Sequence, residues 1–159
     1  MSEQHDRSRE QLVKVAVNLL ASDWHTHALE TMWAEPLGGD RYRLQNVPFY
    51  AHGLSFDDVV NARKIGGQLF VQDVVERGGH STYRLLLTQD VKRSGSRFYE
   101  SWRPLEEIGI TYEQANDRLL AIDVPVSTDI YRAYELLQHG EEAGVWEFEE
   151  GHCGHPLQS

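Results

Sequence analysis

The segment ERGGHSTYRLLL, Glu76 to Leu87, gathers reactive side chains within a few residues: Arg77 ahead of two glycines, then His80, Ser81, Thr82 and Arg84. Two guanidiniums around an imidazole suit a carboxylate or phosphate, because the planar guanidinium fork meets those oxygens two at a time. Gly78 and Gly79 can both take positive φ, as a two-residue type I′ hairpin loop requires. That loop predicts a register in which Arg77 faces His80, Val75 faces Thr82 and Asp73 faces Arg84 on one side of a sheet. Val74 would face Tyr83, and Phe70 would face Leu87, on the opposite, apolar side. The polar side then reads in one of two ways. It is a ligand platform of Arg77, His80, Thr82 and Arg84, or a solvated face with an Asp73–Arg84 ion pair, which contributes at most about 1 kcal/mol when exposed.

A second candidate is NVPFYAHGL. Asn46 and Pro48 shape a turn, and Tyr50 and His52 are expected at a pocket mouth. The plainer alternative is that one of the two adjacent aromatics, Phe49 or Tyr50, plugs a barrel end. Two histidine-bearing segments, WHTH with His25 and His27 and GHCGHP with His152, Cys153 and His155, hold zinc-ligand residue types. Neither has the CxxC spacing of structural zinc sites, so exposed histidines, and no metal, are expected. A nucleophilic Cys153 would need an electropositive surrounding, yet it follows the acidic run EFEEG. Paired acids such as Asp57-Asp58 and Glu149-Glu150 are sequence neighbours whose side chains do not converge. No P-loop, GxGxxG, GxSxG or HExxH pattern occurs. No catalytic residue and no cofactor follow from these motifs.

The elements that must hold these residues are mostly strands. QLVKVAVNLL alternates with period two, LETMWAE and RYRLQNV flank the Gly38-Gly39-Asp40 turn, and DDVVNARK and QLFVQDVVER flank Gly66-Gly67. With STYRLLL they make six short strands, the mark of a curved sheet or small barrel. Phe98, Trp102 and Leu105 then recur at helical spacing, with Pro104 predicting a kink or early break. Two strands around Asn116-Asp117 follow, then a helix with Ser127 as N-cap and Gly140 as its end, then the strand VWEFEE. From STYRLLL onward this is the strand–helix–strand–strand–helix–strand order of a ferredoxin-like portion. The expected organisation is α+β: a flexible tail over 1–10, a β-rich portion over 11–80, a ferredoxin-like portion over 81–150 sharing its core, and an irregular tail over 151–159.

Composition bounds the function. The chain has 159 residues, 40% hydrophobic, enough for one core without disulfides or metals. Its 25 acidic against 15 basic residues give a net charge of −10, which disfavours phosphate backbones and so nucleic acid. No apolar run approaches the roughly 18 residues that span a membrane. The single cysteine, Cys153, fits a reducing cytoplasm.

The stretches MWAEPLGGDRYRLQNVPFYAHGLSFDDVV, VVERGGHSTYRLLL, LLAIDVP and GVWEFEEG together resemble the bacterial domain-of-unknown-function family DUF4265, from about Val13 to about Glu150. The resemblance implies a small bacterial cytoplasmic protein and carries no reaction or site residues with it. The reading that follows is a non-enzymatic binding or regulatory protein, its acidic surface suited to neutralising a basic protein partner. The alternative is an enzyme or sensor for a small anionic molecule at the Arg77, His80 and Arg84 face.

Overall fold

A computed structural model describes residues 11–20 and 25–158. The tail expected over 1–10 lies outside the described residues. The fold is a β-rich α+β arrangement of two sheets and two helices.

Five strands close a barrel: β1 (Val13–Asn18), β2 (Leu29–Gly38), β3 (Arg41–Leu44), β4 (Val59–Ile65) and β5 (Gln68–Glu76). Neighbours pair antiparallel, and a short parallel β1–β5 pairing, Val15 with Leu69 and Ala16 with Phe70, completes the closure. Strict alternation in β2 sends Glu30, Met32 and Ala34 inward and Leu29, Thr31 and Trp33 outward. Val15, Met32, Ala34, Leu44, Val60 and Ala62 fill the barrel. Ala51 and Leu54, from the long β3–β4 connection, join that core. They, rather than Phe49 or Tyr50, plug the barrel.

The second sheet has the order β7 (Thr111–Gln114), β8 (Leu119–Val124), β6 (Ser81–Leu87), β9 (Trp146–His152), all antiparallel. Helices α1 (Ser96–Glu107) and α2 (Ile130–Glu142) cover one face. Phe98, Trp102, Leu105, Ala133 and Leu137 pack there on Tyr83, Leu85, Leu87, Leu120 and Ile122. That is the core assignment expected for Tyr83 and Leu87.

Several local expectations fail for identifiable reasons. Pro104 does not end α1, which runs to Glu107 with Trp102 and Leu105 buried against the sheet around it. The N-cap of α2 is Asp129, whose carboxylate accepts from the Tyr131 N–H, because Ser127 lies in the Pro125–Thr128 turn. Gly140 is an interior helix position where the absent Cβ makes room for the Trp146 indole, and the left-handed stop is Gly144, φ 74°. The tail expected to be irregular begins as strand, since β9 continues through Gly151 and His152.

The largest correction concerns Gly78-Gly79. β5 and β6 do not pair: β5 belongs to the barrel, whereas β6 is flanked by β8 and β9. Only Gly79 has positive φ, at 91°. Gly78 instead meets the backbone of Asp57, where a Cβ would stand 2.7 Å from the Asp57 carbonyl oxygen. The glycine pair is therefore a crossing between two sheets, and the register drawn from a hairpin, with its Asp73–Arg84 pair, does not occur.

Candidate functional site

As a central strand, β6 is covered on both faces, and Ser81 through Leu85 are all buried. Its helix-facing side is apolar. Its other side meets the β3–β4 connection, which plugs the barrel with one flank and meets β6 with the other. A polar seam results. Arg84 is fully buried. Its Nε donates to the Phe49 carbonyl (2.9 Å) and its Nη2 to the Ala51 carbonyl (2.6 Å), while Glu149 lies 3.6 Å from Nε. Glu30 holds the same loop from the other side, accepting from the N–H groups of Phe49, Tyr50 and Ala51. The loop's donors thus meet a carboxylate and its carbonyls a guanidinium. Burial lowers the hold of Arg84 on its proton, while the nearby Glu149 and Glu30 carboxylates raise it. The remaining amino group, Nη1, has no partner among the described residues and lies against Gly151, whose missing Cβ leaves the space it fills.

Thr82 is sealed into the same seam. It donates to the Leu54 carbonyl (3.2 Å) and so accepts from the Ser55 hydroxyl (2.7 Å). Asp58, also fully buried, accepts from the Ser55 N–H, the Gly78 N–H and Arg77 Nη1 (3.0 Å). Arg77 also donates to the Gly53 carbonyl. A ligand platform of Arg77, His80, Thr82 and Arg84 would need all four open on one face. Arg84 and Thr82 are instead closed off, because the connection that plugs the barrel lies over them.

His80 stands apart from that group. Its Nδ1 donates to Asp123 Oδ1 (2.8 Å), and the Phe56 ring meets it edge-on. Desolvation raises the proton affinity of Asp123, His80 lowers it, and the Asp57 charge raises it further. This is an imidazole oriented by Asp123 and Phe56. Tyr50 and His52 border a cleft of about 160 Å³ with Val17 to Leu20 at the end of β1. His52 is exposed, 3.9 Å from Glu149. Tyr50 packs against His25 and His27, with burial and then Glu30 raising its pKa.

The histidine-bearing segments are not brought together. His25 Nδ1 accepts from the His27 N–H beside Tyr50. At the other end His155 Nε2 donates to the Pro125 carbonyl (2.8 Å), which leaves Nδ1 to accept from the Ser81 hydroxyl (2.6 Å). The Ser81 oxygen in turn accepts from the Gly154 N–H, with Cys153 beside it. Among the described residues no three His, Cys, Asp or Glu side chains converge as metal ligands would. His155 and Cys153 pin the chain end to β6.

The outer edge of the second sheet has a different character. Between Asp129 and His152 there are seven carboxylates and one guanidinium, Arg132, a net of −6 within a chain of −10. Asp129, Glu135, Glu141, Glu142, Glu147 and Glu150 are exposed. Tyr131 and Tyr134 stand among them about half exposed, Tyr134 edge-on to Phe148 (5.5 Å). β9 is the edge strand, and the Phe148 N–H on its open side donates to the Glu141 carboxylate.

Sequence reasoning missed Glu30, Glu113, Asp123 and Asp58 as organising groups. For Glu30 the signal was present: it shares the inward phase of Met32 and Ala34. Asp123 sits in the apolar run LLAIDV, another visible sign of a buried acid. Asp58 and Glu113 carry no such mark.

Residues 30–148 match the family described as a domain of unknown function, DUF4265. Among solved structures, a hypothetical protein from Neisseria gonorrhoeae is similar in fold, with a TM-score of 0.74 at 16% identity over 92% of this chain and 97% of that one. No curated protein matches. The match covers most of the chain and spans β2 through the start of β9, so the protein belongs to the DUF4265 family.

Proposed function

We propose that this protein is a non-enzymatic binding protein of the bacterial cytoplasm, taking a basic protein partner on the acidic face formed by α2 and β9. The observation that carries this reading is the charge concentration there: a net of −6 between Asp129 and His152. Opposite charge on a partner would speed encounter and fix orientation. Tyr131 and Tyr134 supply the rigid aromatic contact area that such interfaces favour. Of the polar residues first expected to take a ligand, Thr82 and Arg84 are sealed inside and Arg77 and His80 are engaged by Asp58 and Asp123, which supports binding by a surface over turnover in a pocket. Among the described residues no helix is long and apolar enough to cross a membrane, which is compatible with this setting. The strand order β7-β8-β6-β9 under two helices supports reading residues 81–150 as a ferredoxin-like unit and 11–80 as the barrel unit joined to it.

The test compares the wild type with Glu141→Lys/Glu142→Lys/Glu147→Lys as bait in the same bacterial lysate. The expected result is a basic protein retained by the wild type and lost from the variant. Partners recovered equally by both, or none from repeated preparations, would count against the proposal.

A further inference from the structure

The loop between β6 and α1 and the turn between β7 and β8 enclose an open cleft of about 320 Å³. Lys92 and Arg93 line it from the loop and Arg118 from the turn, opposed by Asp117 alone. This is a net of +2 on a chain of −10. Despite the excess of acid, none of the three cations pairs with a carboxylate among the described residues.

Neutral contacts hold the two guanidiniums. Arg93 Nη1 donates to the Tyr112 hydroxyl (3.2 Å), and Arg118 Nε donates to the Leu87 carbonyl (3.0 Å). Their other N–H groups have no acceptor among the described residues, and both side chains reach water. Ser94 and Gln114 add neutral hydrogen-bonding groups to the wall. Ser94 directly precedes Gly95, the N-cap of α1. That cap provides no side-chain acceptor, and the first turn of α1 contains no acid. Neither the cap nor the first turn therefore supplies a negative group to the positive end of the helix dipole beside the cleft.

We infer that this cleft binds a small phosphorylated molecule. Three cations arriving from two connections match a dianion with several acceptor oxygens better than a single carboxylate, and guanidiniums recognise phosphate through paired donors. The volume lies at the small end of ligand sites, which run from roughly 300 to 1,000 Å³, and so suits a small molecule. The cleft shares no residue with the acidic α2–β9 face, so either proposal can fail without the other.

The experiment follows the amide resonances of the full chain during titration with inorganic phosphate and pyrophosphate at constant ionic strength, with acetate as control. Saturable shifts confined to residues around Ser94, Gly95, Asp117 and Arg118 are expected, with pyrophosphate the tighter probe. Arg93→Gln and Lys92→Gln should each weaken binding about tenfold, the effect of one charge-assisted hydrogen bond. Arg63→Gln, on the exposed side of β4, should leave it unchanged. Shifts that fail to saturate, that acetate reproduces, or that survive the Lys92→Gln/Arg93→Gln double variant would overturn the inference. So would a response to heparin alone with both phosphates silent, which would indicate a macromolecular polyanion.

Discussion

Arg84, in the middle of β6, and the cations beyond the C-terminal end of that strand meet opposite fates. At Arg84 the guanidinium is fully buried, pinned by the carbonyls of Phe49 and Ala51 with Glu149 near, and no solvent reaches it. Beyond Leu87, Lys92, Arg93 and Arg118 surround an open cleft without a carboxylate partner among the described residues. The residue chemistry is the same. What differs is whether the donors are spent inside the protein. A buried cation whose bonds go to backbone carbonyls is a fastener between barrel and sheet, whereas exposed cations with unspent donors are available to a ligand.

The contrast breaks first at Arg84. Arg84→Ala should cost about 3–5 kcal/mol, since it leaves two buried carbonyls and the Glu30–Glu149 charges without their cation. Urea unfolding would measure it, and a loss below about 0.5 kcal/mol would mean the residue is a surface group after all.

Gly151→Ala probes the same seam from the other strand. The new Cβ would collide with Arg84 Nη1, and overpacking of this kind costs about 1–3 kcal/mol. In an Arg84→Ala background the penalty should largely vanish, because the colliding atoms are gone. Equal penalties in both backgrounds would break the proposed coupling.

A smaller effect is expected at Glu113, which accepts from the Val47 N–H and from Asn46. Burial raises its pKa above the ordinary 4.5, outweighing the downward pull of those two bonds. The folded chain therefore keeps this proton to higher pH than the unfolded chain, and stability from this group is lost as pH rises from 4.5 through the raised folded value. Glu113→Gln abolishes the titration. The stability of the wild type minus that of the variant should fall across mildly acidic pH in urea midpoints at fixed salt. A difference that grows with pH would contradict it.

The smallest effect belongs to the cleft beyond the C-terminal end of β6. Arg93→Gln should change stability by no more than about 0.5 kcal/mol, as ordinary surface substitutions do. A loss approaching that of Arg84→Ala would make the cleft cations fasteners too, erasing the comparison.

Much of the fold was legible in local pattern. The period-two run marked β1, the glycine turns bracketed β2 to β5, and Phe98, Trp102 and Leu105 marked α1, because side-chain phase and turn chemistry follow directly from backbone geometry. Even the inward phase of Glu30 was there to be read. The site was legible only in composition: Arg84, Thr82 and His80 were singled out as chemically loaded, but their surroundings were misassigned. Two glycines between two strands look alike in a hairpin and in a crossing between sheets. The choice rests on partners far away in sequence: β1 against β5, and β8 and β9 against β6.

By itself the sequence determined the strands and helices, the acid excess and its concentration near the C-terminus. These are properties of short segments and of sums over the chain. Only the tertiary structure decided that Arg84 is sealed while Arg93 is open, and that Lys92 and Arg118 share a cleft. Burial and convergence depend on which distant segments pack together, as the β3–β4 connection does when it plugs the barrel and closes over β6.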